Sequence, residues 1–261
     1  MVYYASPLLE RAGVQHAFST RLGGISAPPF DSLNLGNPSG CDVQDDYPRI
    51  YQNYDLLQAA VGLAGRERCW VHQVHGGAVV EIPRGEPFES GAKADAMVSD
   101  DAGRILAVRV ADCVPVLLAT ADGTRVAGIH AGWRGVTAEV VPAAYRVLLR
   151  ERATATILAA IGPCIGFESF EIGPEVLEQF AAAFGPEAPI RRRDGKGYVD
   201  LRAAIRVQLL RLGVPTDQID TTDRCTVCDA DEFFSHRRER GITGRMAALI
   251  SPATPPAGWA R

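Results

Sequence analysis

Residues 105–120 read ILAVRVADCVPVLLAT, an apolar run with an Asp–Cys pair in its middle. The run is too short to cross a membrane, so it has to be buried inside the protein. It reads as one or two buried strands. Pro115 cannot donate to a strand ladder and argues for a break or bulge beside Cys113. A carboxylate and a thiol at such a break stand where a strand meets a loop, and functional side chains gather at such junctions.

The rest of the chain supplies strands and helices to surround this run. VQHAFSTR (14–21), RCWVHQVHG (68–76), AVVEIP (78–83), RVAGIHAG (125–132), ATILAAIGP (155–163), QIDTTD (218–223) and RMAALIS (245–251) read as strands. QDDYPRIYQNYDLLQAAVGLAG has helical spacing at Ile50, Tyr54, Leu57 and Val61 and a glycine stop. VTAEVVPAAYRVLLRERA (136–153), GPEVLEQFAAAF (173–184) and DLRAAIRVQLLRLG (200–213) read as further helices. Arg191 to Lys196 reads as a solvated charged loop, and 251–261 as a loose Pro/Ala-rich tail. No repeat or linker divides the chain. It reads as one mixed α/β (α+β) domain over 1–261.

Several function classes are excluded. The net charge is −4 and no basic stripe stands out, so nucleic acid is not an expected partner. No apolar segment has the length of a membrane span, and the N-terminus lacks signal-peptide character. The expectation is a cytoplasmic monomer whose six cysteines are reduced thiols. Neither GxGxxG after a strand nor a phosphate-binding GxxxxGK[ST] is present.

Two stretches hold histidines beside glycines: CWVHQVHGG (69–77) and VAGIHAGWRG (126–135). On a strand, His72 and His75 point to opposite faces, so only one of them looks into a given site. Spacing does not choose between them. Neutral imidazoles and a thiolate are good zinc ligands, and three such ligands with an open fourth position describe a catalytic metal site. His75, Cys113 and His130 form one such triplet. The pattern is met more economically by Cys113 as a buried thiol and by histidines that merely fill space.

The motifs QVHG (73–76), KADAMVS (93–99), ADCVP (111–115), IHAGWRG (129–135), IGPCIG (161–166) and FFSHRRERGITGRMA (233–247) together resemble the YfiH/laccase-domain family. Its members carry the names multicopper polyphenol oxidoreductase, peptidoglycan-editing factor and purine nucleoside phosphorylase. The resemblance runs from FSTRLGG (18–24) to GRMAALI (244–250), with the motifs in order. It implies a sandwich with mixed β-sheets, similar to the cytotoxic-necrotizing-factor catalytic domain and to a cysteine-hydrolase fold. It implies His75, Cys113 and His130 as metal ligands and catalytic residues, with His72 extra and zinc ahead of copper. The implied reaction is phosphorolysis of adenosine, inosine, guanosine or methylthioadenosine to the free base and a sugar 1-phosphate, with deamination of adenosine beside it.

Purine nucleoside and phosphate are then the expected partners. Phosphate calls for cations, and Arg21, Arg134 and Arg237 are the candidates, each of which a surface ion pair would also explain. Asp112 is a candidate for the substrate site or for holding a histidine ligand, and Trp133 for stacking on a base. His236 departs from the aromatic residue expected there. Three other readings remain: a metal-free cysteine hydrolase acting on peptidoglycan precursors with Cys113 as nucleophile, a copper-dependent polyphenol oxidase, and a non-catalytic binding module. Five histidines and no H-x-H pair are too few for a multinuclear copper cluster. The nucleobase-deaminase H-x-E…P-C-x-x-C signature is absent. Cys225 and Cys228 form a C-x-x-C without a second pair to complete a structural zinc site.

Overall fold

The apolar run splits into two strands that enter different sheets, and the Asp–Cys pair is the hinge between them. The structure is a computed structural model describing residues 1–150 and 154–254. In chain order the elements are β1 (Tyr3–Tyr4), α1 (Pro7–Arg11), β2 (Gln15–Ser19), α2 (Tyr47–Ala60), β3 (Glu67–Cys69), β4 (Val79–Ile82), β5 (Ala96–Ser99), β6 (Arg104–Val110), β7 (Val114–Thr120) and β8 (Val126–Ala131). There follow α3 (Trp133–Thr137), α4 (Val140–Leu148), β9 (Ile157–Ile161), β10 (Glu171–Ile172), α5 (Pro174–Phe184), β11 (Ile190–Arg193), β12 (Lys196–Val199), α6 (Leu201–Arg211), β13 (Ile219–Thr221) and β14 (Met246–Ser251).

One sheet has the order β1-β2-β14-β6-β3, a second β13-β9-β7-β8-β5-β4, and a small third β10-β12-β11. The two large sheets are mixed: β3–β6, β4–β5 and β9–β13 pair parallel, the other neighbours antiparallel. Period-two alternation sorts the side chains into layers. Leu106 and Val108 of β6 face Leu117 and Ala119 of β7 across the interior between the two sheets. Ile105 and Ala107 turn the other way onto Ile50, Tyr54 and Leu57 of α2. Val116 and Leu118 of β7 turn onto Val140, Ala144 and Leu148 of α4 and onto Ile205 and Leu209 of α6. The result is helix, sheet, sheet, helix. Gly128 of β8 permits the close approach of the sheets, since a Cβ there would lie 3.3 Å from Leu106 Cβ.

Four expectations are corrected. Residues 70–78 do not form a strand: β3 ends at Cys69, and beyond one isolated pairing of His72 with Lys93 the backbone is irregular. Its amides instead bind a carboxylate, described below. The helix expected over 136–153 is two helices, divided where Glu139 adopts φ +56°; residues 151–153 lie outside the described residues. Arg191 to Lys196 is a β11–β12 hairpin, not a loop, turned by Asp194 and Gly195, both with positive φ. The start of the expected tail is anchored. Ser251 is buried in β14 and its Oγ donates to Arg104 O, while the Ala253 amide donates to Gly123 O. Residues 255–261 of that tail lie outside the described residues. Among the described residues no helix is long and apolar enough to cross a membrane.

Candidate functional site

Three segments converge where β6 leaves one large sheet and β7 enters the other. The turn Ala111–Asp112–Cys113 carries Asp112 at φ +91° and presents Cys113. His130 lies near the end of β8, opposite Pro115 of β7, and is buried. His75 comes from the irregular segment, with φ +61°. The imidazole nitrogens of His75 and His130 and the Cys113 sulfur all lie within 4.8 Å of one another. The two rings meet edge to face, 4.9 Å between centroids and 75° between planes.

A residue not singled out from the sequence organises this triad. Asp95, fully buried just before β5, accepts hydrogen bonds from the backbone N–H groups of His75 (2.9 Å), Gly76 (2.6 Å) and Val74 (3.3 Å). The same carboxylate bonds His130 Nδ1 at 2.9 Å. Segment 70–78 therefore spends its amides on a charge rather than on a strand ladder, which accounts for the failed strand expectation. The Asp95 bond leaves His130 Nε2 to face the other two donors. Gln73 ties the segment to β6, accepting from Arg109 N and donating to Arg109 O.

The electrostatics of the triad follow from burial and proximity. Burial pushes the Asp95 carboxyl up, but His130 and the Gly76 amide more than offset it and hold the group below the usual carboxylate range. Burial also pushes the Cys113 thiol up; His130 and His75 beside it bring it down to about 6. Burial pushes His130 down; the Cys113 sulfur and the Asp95 carboxylate lift it to about 9. Without a metal, the two opposite shifts favour a Cys113 thiolate facing a His130 imidazolium. Two imidazoles and a thiolate are a donor set suited to a soft or borderline metal ion.

Gly132, immediately after β8, has to be a glycine. A Cβ there would lie 2.9 Å from His75 Cδ2 and 3.0 Å from Cys113 Sγ. Its φ of −75° is open to any residue, so the requirement is steric. Gly132→Ala is expected to push the donors apart and to lower metal affinity and activity by about a hundredfold, with the melting temperature shifted by a few degrees at most. Metal titration and thermal melting check this; full metal affinity in the variant would refute the steric account.

The triad opens into a cavity of about 360 Å³, within the range of small-molecule sites. Arg109, Arg134, Arg237 and Arg245 line it, together with His72, His236 and Trp133. Asp112 is the one carboxylate on the wall, and its oxygens are taken by Thr226 Oγ1 (2.6 Å) and Arg237 N (2.7 Å). Asp112 therefore ties the 225–238 segment to the turn, and the histidine-holding role belongs to Asp95. Arg237 donates Nη1 and Nη2 to Glu171 O, both at 3.1 Å. Arg134 is exposed and stacks on Trp133 at 4.2 Å.

Arg21 is not part of the cavity wall. Its guanidinium bonds Asp31 and Ala230 O and lies 4.6 Å from the Phe234 ring. The glycine amides beside it, at Gly23 and Gly24, are satisfied by Ser32 Oγ. Arg109 and Arg245 take places on the wall instead. The signal for Arg109 was a charge inside an apolar strand; Arg245 and Asp95 lay within the quoted motifs without an assigned role.

A family model described as multi-copper polyphenol oxidoreductase laccase matches residues 15–253. The protein is 41% identical over 239 residues to the purine nucleoside phosphorylase YfiH of Escherichia coli (strain K12), covering 91% of this chain and 93% of that one. The crystal structure of YlmD from Geobacillus stearothermophilus matches with a TM-score of 0.85 and 33% identity, over 95% of this chain and 94% of that chain. Neisseria meningitidis protein NMB0706 matches with a TM-score of 0.82 and 32% identity, over 97% and 99% of the two chains. The mixed α/β architecture with several mixed sheets is common to them. On both sequence and structure, the chain belongs to the multi-copper polyphenol oxidoreductase laccase family, in the company of the YfiH proteins.

Proposed function

We propose that the protein is a cytoplasmic, monomeric, zinc-dependent purine nucleoside phosphorylase that also deaminates adenosine. The observation that carries this reading is a three-donor triad opening into a cavity lined by four arginines on a chain of net charge −4. The Escherichia coli relative named above as a purine nucleoside phosphorylase supports it. His75, Cys113 and His130 would hold the metal, which when bound supplies a Lewis-acid centre. The substrates are adenosine, inosine, guanosine or methylthioadenosine, together with inorganic phosphate.

In phosphorolysis a phosphate oxygen forms a bond to C1′ of the sugar while the C1′–N9 bond breaks and its electron pair leaves with the purine. The cavity arginines neutralise and orient the phosphate. Trp133 offers a face to the base. The departing purine needs a proton, and His72 and His236 are the cavity imidazoles outside the triad that can hand one over. In deamination, water replaces the C6 amino group, which leaves as ammonia.

Zinc is preferred to a multinuclear copper cluster because five histidines with no H-x-H pair are too few ligands for one. Among the described residues the triad is the one cluster of its kind, and its three donors would hold a single ion. The test is to strip the protein with a chelator, restore zinc or copper, and follow purine base release with and without phosphate. Phosphate-dependent release that disappears on stripping and returns with zinc is the expected result. Release that survives stripping sinks the metal's role.

A second reading is favoured by the Cys113–His130–Asp95 alignment, in which a thiolate faces an imidazolium held by a carboxylate. That is the arrangement of a cysteine hydrolase. Hydrolysis of a peptidoglycan precursor, insensitive to chelator and abolished by alkylation, would favour it over the phosphorylase.

A further inference from the structure

None of the four cavity arginines is ion-paired among the described residues, and two of them, Arg109 and Arg245, stand together. Arg109 is on β6, where it pairs with Ala247 of β14. Arg245 lies immediately before β14, next to the Met246–Val110 pair that ends the β6–β14 ladder. Gly36 lies against both: a Cβ there would come 2.9 Å from Arg109 Cδ and 3.5 Å from Arg245 Cγ. A side chain at Gly36 would fill the space in which the two converge.

Neither guanidinium is within ion-pair distance of a carboxylate among the described residues. Arg245 Nη1 donates to Thr243 O and Gly244 O, which fixes the head and leaves its other N–H groups free to face the cavity. Arg109 stacks over the Trp70 ring at 5.4 Å, which orients its plane, and its backbone is clamped by Gln73. Two half-buried like charges held side by side cost free energy unless an anion joins them. Burial, with Arg109 as a further contribution, pushes the Arg245 group down, while Cys113 and Asp112 act in the opposite sense. The pair therefore sits within electrostatic reach of the metal triad. Arg237 and Arg134 differ: the first is committed to Glu171 O, and the second is exposed on Trp133.

We propose that Arg109 and Arg245 form the oxyanion subsite of the cavity, a two-guanidinium clamp that holds the inorganic phosphate co-substrate beside His75, Cys113 and His130. The assignment of phosphate as co-substrate rests on the phosphorylase reading; the oxyanion site itself does not. Guanidinium forks match phosphate oxygens in pairs, and a tetrahedral dianion satisfies both heads at once.

The test is calorimetric titration of inorganic phosphate into the full metal-loaded chain, alongside nucleoside kinetics. The forms compared are wild type, Arg109→Gln, Arg245→Gln, Arg245→Lys and, outside the cavity, Arg21→Gln. Each cavity glutamine variant is expected to weaken phosphate binding, and raise the KM for phosphate, by about tenfold or more, with the nucleoside KM unchanged. Lysine at 245 recovers part of the loss, because it keeps the charge but not the fork. Arg21→Gln binds phosphate as wild type does. Should Arg245→Gln fail to fold, Arg109→Gln decides alone. Wild type that binds no phosphate, or glutamine variants that bind it undiminished, overturns the clamp. If the variants lose phosphate but wild type cleaves no nucleoside, the clamp stands and the phosphorylase reading falls. If wild type cleaves nucleoside with a phosphate KM that neither variant alters, the phosphorylase stands and the clamp falls.

Discussion

Cys113→Ala is expected to take bound zinc from about one ion per chain to nearly none and phosphorolysis down by about a thousandfold. The variant keeps two imidazoles, and two neutral donors do not hold zinc against water as two imidazoles and a thiolate do. In the proposed reaction a bound metal ion would supply several kcal/mol of transition-state stabilisation, and each 1.36 kcal/mol is a factor of about ten in rate. The fold should persist, because Cys113 is half-buried in a turn on the cavity wall and its sulfur contributes little to the core. Loss of the thiolate also removes one of the two charges that raise His130, so His130 titrates below about 9 in the variant, with Asp95 still lifting it. Metal analysis, a base-release assay and NMR titration of the histidines read all three effects. Full zinc content in the variant would refute the triad as the metal site.

Asp95→Asn is the second large effect, and it acts through residues that Asp95 positions. An amide has the carboxylate's shape, but its nitrogen cannot accept a hydrogen bond. Four donors point at the two oxygens: three backbone N–H groups and His130 Nδ1. At least one is left facing another donor in a fully buried site, a cost on the order of 3–5 kcal/mol with the loss of the charge. For a chain of this length that lowers the melting temperature by roughly 10 °C. The His75 segment and the His130 ring both lose their support, and metal affinity falls by about 10- to 100-fold. The sign with pH follows from the depressed carboxyl. Its folded pKa lies below the unfolded value of about 3.9, so its stabilisation is complete above that value and is lost as pH falls through the folded one. The stability gap between wild type and variant therefore narrows in acid. Equal melting temperatures and zinc affinities at neutral pH would show that Asp95 does not organise the site.

Much of the fold was legible because it depends on local periodicity. The apolar run ILAVRVADCVPVLLAT with Pro115 beside Cys113 yields β6 and β7 with the break at Cys113, and helical spacing at Ile50, Tyr54 and Leu57 yields α2. Position 75 shows where this stops. The valines around it favour a strand, yet Asp95 draws three successive amides onto one carboxylate and His75 turns left-handed. No pattern within residues 69–77 records a carboxylate twenty positions later. The triad itself was reached through the family motifs, since the spacing of His75, Cys113 and His130 carries no ligand signature.

What the sequence by itself determined is most of the longer strands and helices, the break that exposes Cys113, and the donor types available for chemistry. These follow from side-chain period and from the conformational limits of proline and glycine. Only the tertiary structure decided which polar groups meet. Asp95 rather than Asp112 holds His130, because β5 lies beside β8. Arg109 and Arg245 line the cavity while Arg21 does not, because β6 lies beside β14 and the Arg21 head is spent on Asp31 and Ala230. Strand order brings together residues far apart in the chain, and each buried polar group then takes the nearest partner that satisfies it. That competition is settled in three dimensions and leaves no local trace.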